Sequence, residues 1–575
     1  MGLLQLKDIS IILQYDSVWV GYQLISIISL NCCVGGGCLL YLQCESKGAD
    51  MADTKYPIGI QTFSEIITEN YLYVDKTEMI YDLTHRYNYV FLNRPRRFGK
   101  SLLMSTLEAY FKGRKELFKG LAIEQLEKDW TLYPVFRFDL SPAYYADPAR
   151  LISRIESCLE NFEREYNLDS PDKNISERFL RLIEGACRKY NQKVVVLIDE
   201  YDKPMLDCLH DDALHEALKN ELRGFYSVMK TSDEFIKFAM LTGVTKFGKV
   251  SVFSGLNNLK DISMLPRYNA LCGISETEFR SNFKQSVKAF SEVHDIPEQE
   301  TWRRFRELYD GYRFASRGEN IYNPFSVLNA FDSEEFGAYW YASGSPSYLI
   351  RLIERRSYPL ANLEGEKRTQ DQLSDITDTE RDIVPLLYQS GYLTIKDFEN
   401  HSNSPLGGLY ILGFPNHEVN RSFWSSLANH FFWGYGQQSS FDAPLFIEDV
   451  RLGKPERFMV RLRSLFADTS SEAEADKEIH FQNMMAIACK MMGLYVRTEV
   501  HAHRGRCDMQ IETADYVYIF EFKVDSTPEK AMEQILERGY HLRFEADTRN
   551  VFLIAANFST KSRTLDNWII DTYKK

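Results

Sequence analysis

The sequence predicts an α/β protein with a parallel sheet, a mostly helical middle region and a second, smaller α/β unit. Short apolar runs at 89–92, 133–140, 194–198 and 235–241 stand between helical patterns at 148–166, 175–190 and 212–230. Such alternation of strand and helix is typical of a parallel sheet. Near the carboxyl end, two strand-like segments lie close enough in the chain to form a hairpin.

The overall composition excludes several classes of protein. The chain of 575 residues is 44% hydrophobic and 26% charged, which excludes a disordered chain, a collagen and a coiled-coil rod. Its net charge of −13 excludes a uniformly basic nucleic-acid coat but is compatible with a local basic groove. Ten cysteines without a CxxC pair argue against a disulfide scaffold or zinc ribbon, so we expect a reducing, cytoplasmic setting.

The first fifty residues differ in composition from the rest of the chain. Residues 17–44 contain no charged side chain and are long enough to cross a membrane. Glycines and polar residues interrupt the apolar run, and no cluster of Lys or Arg flanks it, in contrast to a good membrane span or secretory signal. We interpret residues 1–50 as a doubtful extension before a true start at Met51. A membrane or signal segment and a genuine soluble extension are the alternatives.

A phosphate-binding loop is predicted between the first strand and the helix that follows it. The apolar run at 89–92 leads into Asn93, Arg94, Pro95, Arg96, Arg97, Phe98, Gly99, Lys100 and Ser101, after which apolar residues recur at helical spacing. The Gly-Lys-Ser sequence therefore falls at a strand-to-helix turn, where backbone N–H groups and the helix dipole favour a phosphate. We expect Lys100 to reach the β- and γ-phosphates and Ser101 to bind magnesium.

This loop departs from the general motif G-x-x-x-x-G-K-[ST] at its first position. Arg94 stands where the motif has glycine, so the loop turns by another route, in which Pro95 fixes one dihedral angle. We expect Arg94, Arg96 and Arg97 to brace the phosphates with their positive charge. A basic surface turn before a helix is the alternative interpretation.

Two carboxylates follow the apolar run at 194–198. Asp199 and Glu200 stand at its carboxyl end, the edge at which open α/β sheets bind their ligands. We expect Asp199 to hold magnesium through water and Glu200 to polarise the water that attacks the γ-phosphate. Thr242 ends a further strand and is a candidate sensor of that phosphate. A simple turn threonine is the alternative for Thr242.

A second candidate site lies near the carboxyl end. In the strand-like run 516–524, alternate residues share a face, so Glu521 and Lys523 end an otherwise apolar face, where charges are costly unless paired or used. Asp508 precedes Glu521 by thirteen residues, enough for a hairpin that brings the carboxylates together. Two carboxylates suit magnesium, and Lys523 would orient or deprotonate a metal-bound water.

Further residues complete this second predicted site. Glu478, on a preceding helix, is a candidate third metal ligand. Gln534 and Tyr540, expected on the next helix, would position the other groups. A purely structural ion pair between Glu521 and Lys523 on a half-exposed sheet is the alternative interpretation.

Several of these motifs resemble a bacterial family of AAA-ATPase-like proteins with a PD-(D/E)XK nuclease-like domain at the carboxyl end. The matching segments are 56–59, 73–77, 94–101, 197–201, 203–204, 241–244, 309–312 and 323–325. The resemblance implies an AAA+-like P-loop domain that binds ATP, and Arg94 belongs to this family's own variant of the loop. The Asp508, Glu521 and Lys523 pattern is similar to the nuclease motif, although Cys507 replaces its usual proline.

We therefore expect a P-loop domain at 51–274, a mostly helical connector or lid at 275–465 and a restriction-endonuclease-like α/β domain at 466–575. The expected function is ATP binding and hydrolysis, coupled to a magnesium-dependent nuclease that acts on DNA or RNA. One alternative is a nucleotide-dependent interaction protein whose nuclease-like domain is inactive. Another is a membrane-associated ATPase anchored by residues 18–42. The expected cofactors are ATP and Mg²⁺.

Overall fold

The computed structural model describes most of the chain after residue 53. The described residues are 54–168, 174–208, 211–247, 258–343, 349–350, 352–353, 358, 360, 363–374, 376, 382–400, 408–431, 443–467, 483, 486–487, 490, 495–502, 505–562 and 564–573. The chain divides into the units Met1–Ala49 and Asp50–Lys575, and the predictions for residues 1–50 lie outside the described residues. None of the helices described is long and apolar enough to span a bilayer.

The first part of the chain forms the predicted parallel α/β unit. Its strands are β1 (Tyr89–Asn93), β2 (Val135–Asp139), β3 (Val194–Asp199), β4 (Ile236–Gly243) and β5 (Lys260–Asp261). Its helices are α1 (Phe63–Thr68), α2 (Thr77–Arg86), α3 (Lys100–Phe111), α4 (Ile123–Leu126), α5 (Pro148–Tyr166), α6 (Ile175–Tyr190), α7 (Lys203–Asp207) and α8 (Asp212–Thr231). Short 3₁₀ turns cover Lys115–Phe118, Asp233–Phe235 and Pro266–Tyr268.

The five strands form one parallel sheet in the order β2-β3-β4-β1-β5. The pairs Asn93 with Gly243 and Asp139 with Asp199 bring the carboxyl ends of four strands to one edge. These four strands are the predicted ones, and the α/β fold class is confirmed. β5 is a two-residue addition that gives no periodic signal in the sequence.

Local sequence explains where these elements begin and end. Every residue of β3 is buried, because helices cover both faces of a parallel sheet. The Asp147 side chain accepts a hydrogen bond from the Arg150 backbone N–H, and Pro148 occupies the first turn; both features favour a helix start. Asn167 ends the same helix in the left-handed conformation, a common helix stop.

The middle region is more mixed than predicted. Its helices are α9 (Glu276–Asn282), α10 (Lys284–Val293), α11 (Glu298–Tyr309), α12 (Pro324–Ser333), α13 (Tyr339–Ala342), α14 (Gln370–Leu373), α15 (Val384–Gln389), α16 (His417–Phe431), α17 (Ala443–Arg451) and α18 (Pro455–Ala467). Its strands are β6 (Ile274–Ser275), β7 (Ile321–Tyr322), β8 (Lys367–Arg368), β9 (Thr394–Glu399) and β10 (Leu409–Gly413), which form a β6–β7 pair and an antiparallel sheet β8-β10-β9. Three of these strands have two residues, too few to show a period of two.

The C-terminal part is a mixed five-stranded sheet. Its elements are β11 (Tyr495–Ala502), β12 (Gly505–Glu512), β13 (Tyr516–Val524), α19 (Pro528–Arg538), a 3₁₀ turn (Leu542–Phe544), β14 (Asn550–Ser559) and β15 (Thr564–Tyr573), with strands in chain order. β12 and β13 form the predicted antiparallel hairpin, whereas β13 and β14 are parallel and are joined through α19. Val517 and Ile519 pack toward α19, while Phe520 and Phe522 on the other face join the large core cluster that includes the first sheet.

Candidate functional site

The predicted phosphate-binding loop ends at Gly99, which lies directly before α3. Its φ angle is 89°, in the left-handed region that glycine adopts without strain. No side chain caps this end of the helix. Because the first backbone N–H groups of a helix have no intrahelical acceptor, this helix start can receive an anion.

Lys100 lies inside the loop. Its side chain is 3% exposed and its Nζ lies 3.2 Å from Glu200 Oε1. The same Nζ donates hydrogen bonds to the carbonyl oxygens of Arg94 at 3.1 Å and Pro95 at 3.3 Å. Lys100 and Glu200, predicted for phosphate binding and water activation, therefore meet, and the lysine must exchange these partners to contact a phosphate.

Asp199 is held by two hydroxyl groups. Thr242 Oγ1 donates to Asp199 Oδ1 at 2.7 Å, and Ser101 also forms a side-chain hydrogen bond with this carboxylate. Burial raises the pKa of Asp199, and the hydrogen bonds from Thr242 and Ser101 partly offset that rise. The structure thus brings together Ser101 and Asp199, the predicted magnesium ligands. Their oxygens are the donor type that magnesium prefers.

Glu200 has an unusual backbone conformation for its position. Its φ angle is 53°, in the left-handed region that a non-glycine residue adopts at a cost. The following residue, Tyr201, donates its backbone N–H to Thr242 O at 3.0 Å, which holds the turn against β4. The turn directs the Glu200 carboxylate toward Lys100.

The position of Arg94 differs from the expectation that its guanidinium braces a phosphate. The residue is 1% exposed, and its Nη1 and Nη2 donate to Ser263 O at 2.8 Å and Tyr268 O at 3.0 Å. Its guanidinium lies 4.1 Å from the centroid of the Phe314 ring. Burial lowers the pKa of Arg94. Arg94 therefore anchors the loop to the segment after β5, with its charge turned into the protein.

Of the remaining loop residues, two are exposed to solvent and one is buried in the core. Arg96 and Arg97 are exposed, as a phosphate contact requires, and the Arg97 guanidinium lies 4.8 Å from the Phe325 ring centroid. Phe98 is buried and makes an edge contact with the Tyr312 ring at 4.7 Å. Phe98 is thus an anchor of the loop, while the two arginines face outward.

Asp202 is a buried carboxylate that the sequence argument missed. Its Oδ2 accepts hydrogen bonds from the backbone N–H groups of Val244 at 3.0 Å and Thr245 at 2.6 Å. Burial, with a further contribution from the charge of Glu200, raises its pKa to about 6. A Cβ at Gly243 would lie 2.4 Å from Asp202 Oδ1, so glycine is required there. The sequence feature that could have indicated this residue is its position, as a second aspartate three residues after Asp199.

Arg137 is a second residue near the site that was not predicted. Its Nη2 lies 3.9 Å from Asp199 Oδ2 and donates to Ser101 O at 3.4 Å. Its Nη1 pairs with Glu108 Oε2 at 3.2 Å. The sequence feature that could have indicated it is an arginine between two phenylalanines of β2, since a half-buried charge needs partners.

The C-terminal hairpin brings the predicted second site together. The pair Met509 with Phe520 places Asp508 and Glu521 one step further along the same antiparallel strands. Asp508 Oδ2 accepts the backbone N–H of Phe522 at 2.7 Å, and Glu521 is 1% exposed. The two carboxylates therefore lie on neighbouring strands, as the hairpin predicted.

Lys523 is held by two side chains of this site. Its Nζ lies 3.1 Å from Glu521 Oε1 and donates to Gln534 Oε1 at 2.8 Å. Gln534 Nε2 in turn donates to the Tyr540 hydroxyl oxygen at 3.3 Å. Gln534 lies on α19, whereas Tyr540 lies just after the end of that helix, and the positioning role of both residues stays a prediction.

The carboxylate oxygens of this second site are the ligand type that a hard divalent cation prefers. Cys507, in the position of the usual proline, is buried; burial, with the charges of Asp508 and Glu521, raises its pKa to about 12. Glu478 lies outside the described residues. Within the part of the chain described, no group of three or more His, Cys, Asp or Glu side chains is arranged to hold a metal.

Comparison with known proteins identifies the family. A family model described as Predicted AAA-ATPase matches residues 57–253, and a model of the PD-(D/E)XK nuclease superfamily matches residues 476–568. A protein of Azotobacter chroococcum mcd 1, described as "Uncharacterized protein in vnfD 5'region", is 35% identical over 531 residues, which cover 91% of this chain and 100% of that protein. The chain belongs to the AAA-ATPase-like family.

The matched segments of this AAA-ATPase-like protein contain both candidate sites. Residues 57–253 include the loop, Asp199, Glu200 and Thr242, and residues 476–568 include Asp508, Glu521 and Lys523. The chain thus carries an AAA-ATPase-like domain and a PD-(D/E)XK nuclease superfamily domain.

Proposed function

We propose that this protein binds and hydrolyses ATP with magnesium, and that the nucleotide controls a magnesium-dependent nuclease at the carboxyl end that acts on DNA or RNA. The convergence of Lys100, Ser101, Asp199 and Glu200 on the carboxyl edge of the parallel sheet carries this proposal. The proposal includes a cytoplasmic location, which is supported by free, buried cysteines such as Cys158 and Cys208.

In the ATPase step, each residue has a separate role. The backbone N–H groups at the start of α3 bind phosphate oxygens, and Lys100 leaves Glu200 to donate to the β- and γ-phosphates. Glu200, released from the ion pair, polarises the attacking water and accepts its proton. Ser101 and Asp199 would hold the magnesium ion, which neutralises phosphate charge when it is bound.

In the nuclease step, Asp508 and Glu521 would hold a divalent cation, which supplies an acidified water and charge stabilisation when bound. Lys523 orients the attacking water against the phosphodiester, because its ammonium group lies on the same strand face as Glu521. Gln534 fixes the ammonium group, and Tyr540 fixes Gln534.

The middle region is the proposed link between nucleotide and nuclease. Trp340 Nε1 donates to the carbonyl oxygen of Arg96 at 2.9 Å, so a loop that changes shape around a phosphate pulls on α13. A Cβ at Gly391 would lie 2.7 Å from Pro95 Cβ, so a second segment also packs closely on the loop. These contacts support a lid that senses the nucleotide state.

A second candidate function is an interaction protein with an inactive nuclease-like domain. It is favoured by one observation: Lys523 Nζ already has Glu521 and Gln534 as partners, the arrangement of a purely structural ion pair. Such a protein would bind nucleotide and still leave nucleic acid intact.

Magnesium titration in the presence of ATP and of three nucleic-acid substrates tests the proposal. We expect ATP to release phosphate, and plasmid, single-stranded DNA or RNA to be cut, each only when magnesium is added. Phosphate release without any cutting in the full magnesium range supports the interaction protein instead. Absence of ATP binding contradicts both candidate functions.

A further inference from the structure

A short turn follows strand β4, close to the predicted γ-phosphate sensor Thr242. Residues 244–247 form this β4 turn, and Gly243 alone separates it from Thr242. Two side chains from the segment after β3 hold the turn in place. The Asp202 carboxylate accepts the Thr245 hydroxyl group at 2.6 Å, and the Tyr201 hydroxyl group donates to Thr245 O at 2.9 Å. The β4 turn is therefore bonded to the same segment that supplies Asp199 and Glu200.

Gln389 joins the β4 turn to the middle region. This residue ends α15 and is 3% exposed. Its Oε1 accepts the backbone N–H of Lys246 at 2.6 Å, and its Nε2 donates to the carbonyl oxygen of Leu373, the last residue of α14, at 2.6 Å. A buried amide with both ends bonded keeps one position, because leaving either group unpaired costs free energy. Gln389 thus connects the β4 turn with two helices of the middle region.

Lys246 uses different groups for its two connections. Its side-chain Nζ lies 2.5 Å from Asp261 Oδ2, on strand β5 of the parallel sheet. Its backbone N–H is the group that reaches Gln389. The contact with the middle region therefore depends on the backbone of the β4 turn, and substitutions at this position can separate it from the ion pair.

This connection differs from the contacts that the middle region makes with the phosphate-binding loop. Trp340 and Gly391 lie against Arg96 and Pro95 of that loop, which under the proposed function binds nucleoside diphosphates and triphosphates alike. Thr242 is predicted to contact only the third phosphate. The middle region thus has two connections to the nucleotide site, and the one through Gln389 begins beside the group that distinguishes ATP from ADP.

We infer that Gln389 is a positioning residue that transmits the presence of the third phosphate from Thr242, through the β4 turn, to α14 and α15. The inference rests on the proposed ATP binding and adds how the middle region distinguishes ATP from ADP. A phosphate bonded to Thr242 restricts the β4 turn, and Gln389 shares that restriction because it is bonded on both sides. Local opening of the two helices then costs more free energy.

Hydrogen exchange on the full chain tests this inference. The protein is saturated with magnesium and either ADP or AMP-PNP, an ATP analogue that is not hydrolysed. In the wild type, backbone N–H groups of α14 and α15 exchange at least about threefold more slowly with AMP-PNP than with ADP, the effect of one net hydrogen bond on a local opening equilibrium. Gln389→Met keeps the length of the side chain and removes both hydrogen bonds, so this difference disappears.

Two further measurements show that the change is specific. Calorimetry finds that Gln389→Met binds AMP-PNP within about threefold of the wild type, because the residue touches no predicted phosphate ligand. Gln370→Met makes the same substitution at an exposed position of α14. It is the matched control and keeps the difference between the two nucleotides.

The outcomes separate this inference from the proposed function. Equal exchange with the two nucleotides in the wild type, or a difference that persists in Gln389→Met, overturns the inference and leaves ATP binding in place. A wild type that binds neither nucleotide overturns both. If Gln389→Met misfolds, two variants of Lys246 decide. Lys246→Pro lacks the N–H that Gln389 accepts and loses the difference, Lys246→Ala retains both, and a difference that persists in Lys246→Pro overturns the inference.

Discussion

Lys100 and Glu200 form an ion pair of 3.2 Å in which the lysine side chain is 3% exposed and the glutamate 19%. The pair joins the residue expected to hold the phosphates to the residue expected to activate water. In this structure each side chain therefore has the other as its ion-pair partner, and neither is free for its expected role. Under the proposed function, hydrolysis would require both residues to exchange partners, which would link water activation to the presence of a phosphate.

Lys100→Ala removes the cation from the loop. We expect ATP affinity to fall at least about 30-fold, because truncating one partner of a buried, hydrogen-bonded charge contact costs about 2–5 kcal/mol. Calorimetry with Mg-ATP measures the change, and metal binding at the carboxyl end stays intact. Lys112→Ala is the control, since Lys112 pairs with Glu108 and Glu165 at the far end of α3. Unchanged ATP affinity in Lys100→Ala contradicts the loop assignment.

Glu200→Gln preserves the shape and hydrogen-bonding oxygen of the side chain but removes its basicity. We expect ATP to bind at least as tightly as it binds the wild type, since the loop and Lys100 are intact and the ion pair that competes with the phosphate is lost. Phosphate release falls about 10²- to 10⁴-fold, the range that a positioned general base supplies. Steady-state phosphate release alongside calorimetry separates the two effects. Wild-type turnover in Glu200→Gln would mean that another group activates the water.

Asp508→Ala removes a predicted metal ligand of the nuclease. We expect cleavage of nucleic acid to disappear while ATP hydrolysis continues at the wild-type rate, because the two sites use different residues. A gel assay with magnesium and a phosphate-release assay on the same preparation measure both activities. Asp515→Ala is the control, an exposed aspartate at the turn between the same two strands. Persistent cutting by a clean Asp508→Ala preparation excludes this site.

Asp202→Asn tests the buried carboxylate next to the site. The pKa of Asp202 is raised from 3.8 to about 6 by burial, with Glu200 adding to the shift. A raised carboxyl pKa favours the neutral form in the folded state, so its stabilising effect is complete below pH 3.8 and is lost as the pH rises through 6. The asparagine stays neutral at every pH.

Relative to wild type, Asp202→Asn should therefore gain about 1 kcal/mol in free energy of unfolding between pH 5 and pH 7. Urea unfolding at the two pH values measures this difference, and the comparison with wild type cancels the effects of the other titrating groups. Asn can keep accepting from the backbone N–H groups of Val244 and Thr245 through its amide oxygen. A difference between the two proteins that does not vary with pH would show that Asp202 is charged throughout this range.

Sequence patterns predicted the elements with strong local signals. The helices 148–166 and 175–190 have the predicted bounds, because apolar periodicity and capping residues both lie within the segments themselves. The C-terminal hairpin was predictable for the same reason, since alternation along 516–524 sets the face of Glu521 and Lys523.

The position of Arg94 was not predictable in this way. Its carbonyl partners at Ser263 and Tyr268 lie 169 and 174 residues further along the chain, and no local pattern reveals an acceptor at that distance. Asp202 was missed for a related reason: its partners, the backbone N–H groups of residues 244 and 245, depend on how β4 ends beside β3. The role of Glu478 stays a prediction.

The packing of strand β13 bears on whether this protein can be divided into separate fragments. One face packs on α19, and the other, with Phe520 and Phe522, belongs to the same apolar core cluster as Phe91 and Leu92 of β1. The Phe458 ring of α18 lies 6.3 Å from the Phe520 ring, so removing the middle region would uncover this face, and exposed apolar surface invites aggregation. Engineering of one activity without the other is therefore best done by single substitutions, and the full-length polypeptide is the unit in which each activity should be assayed.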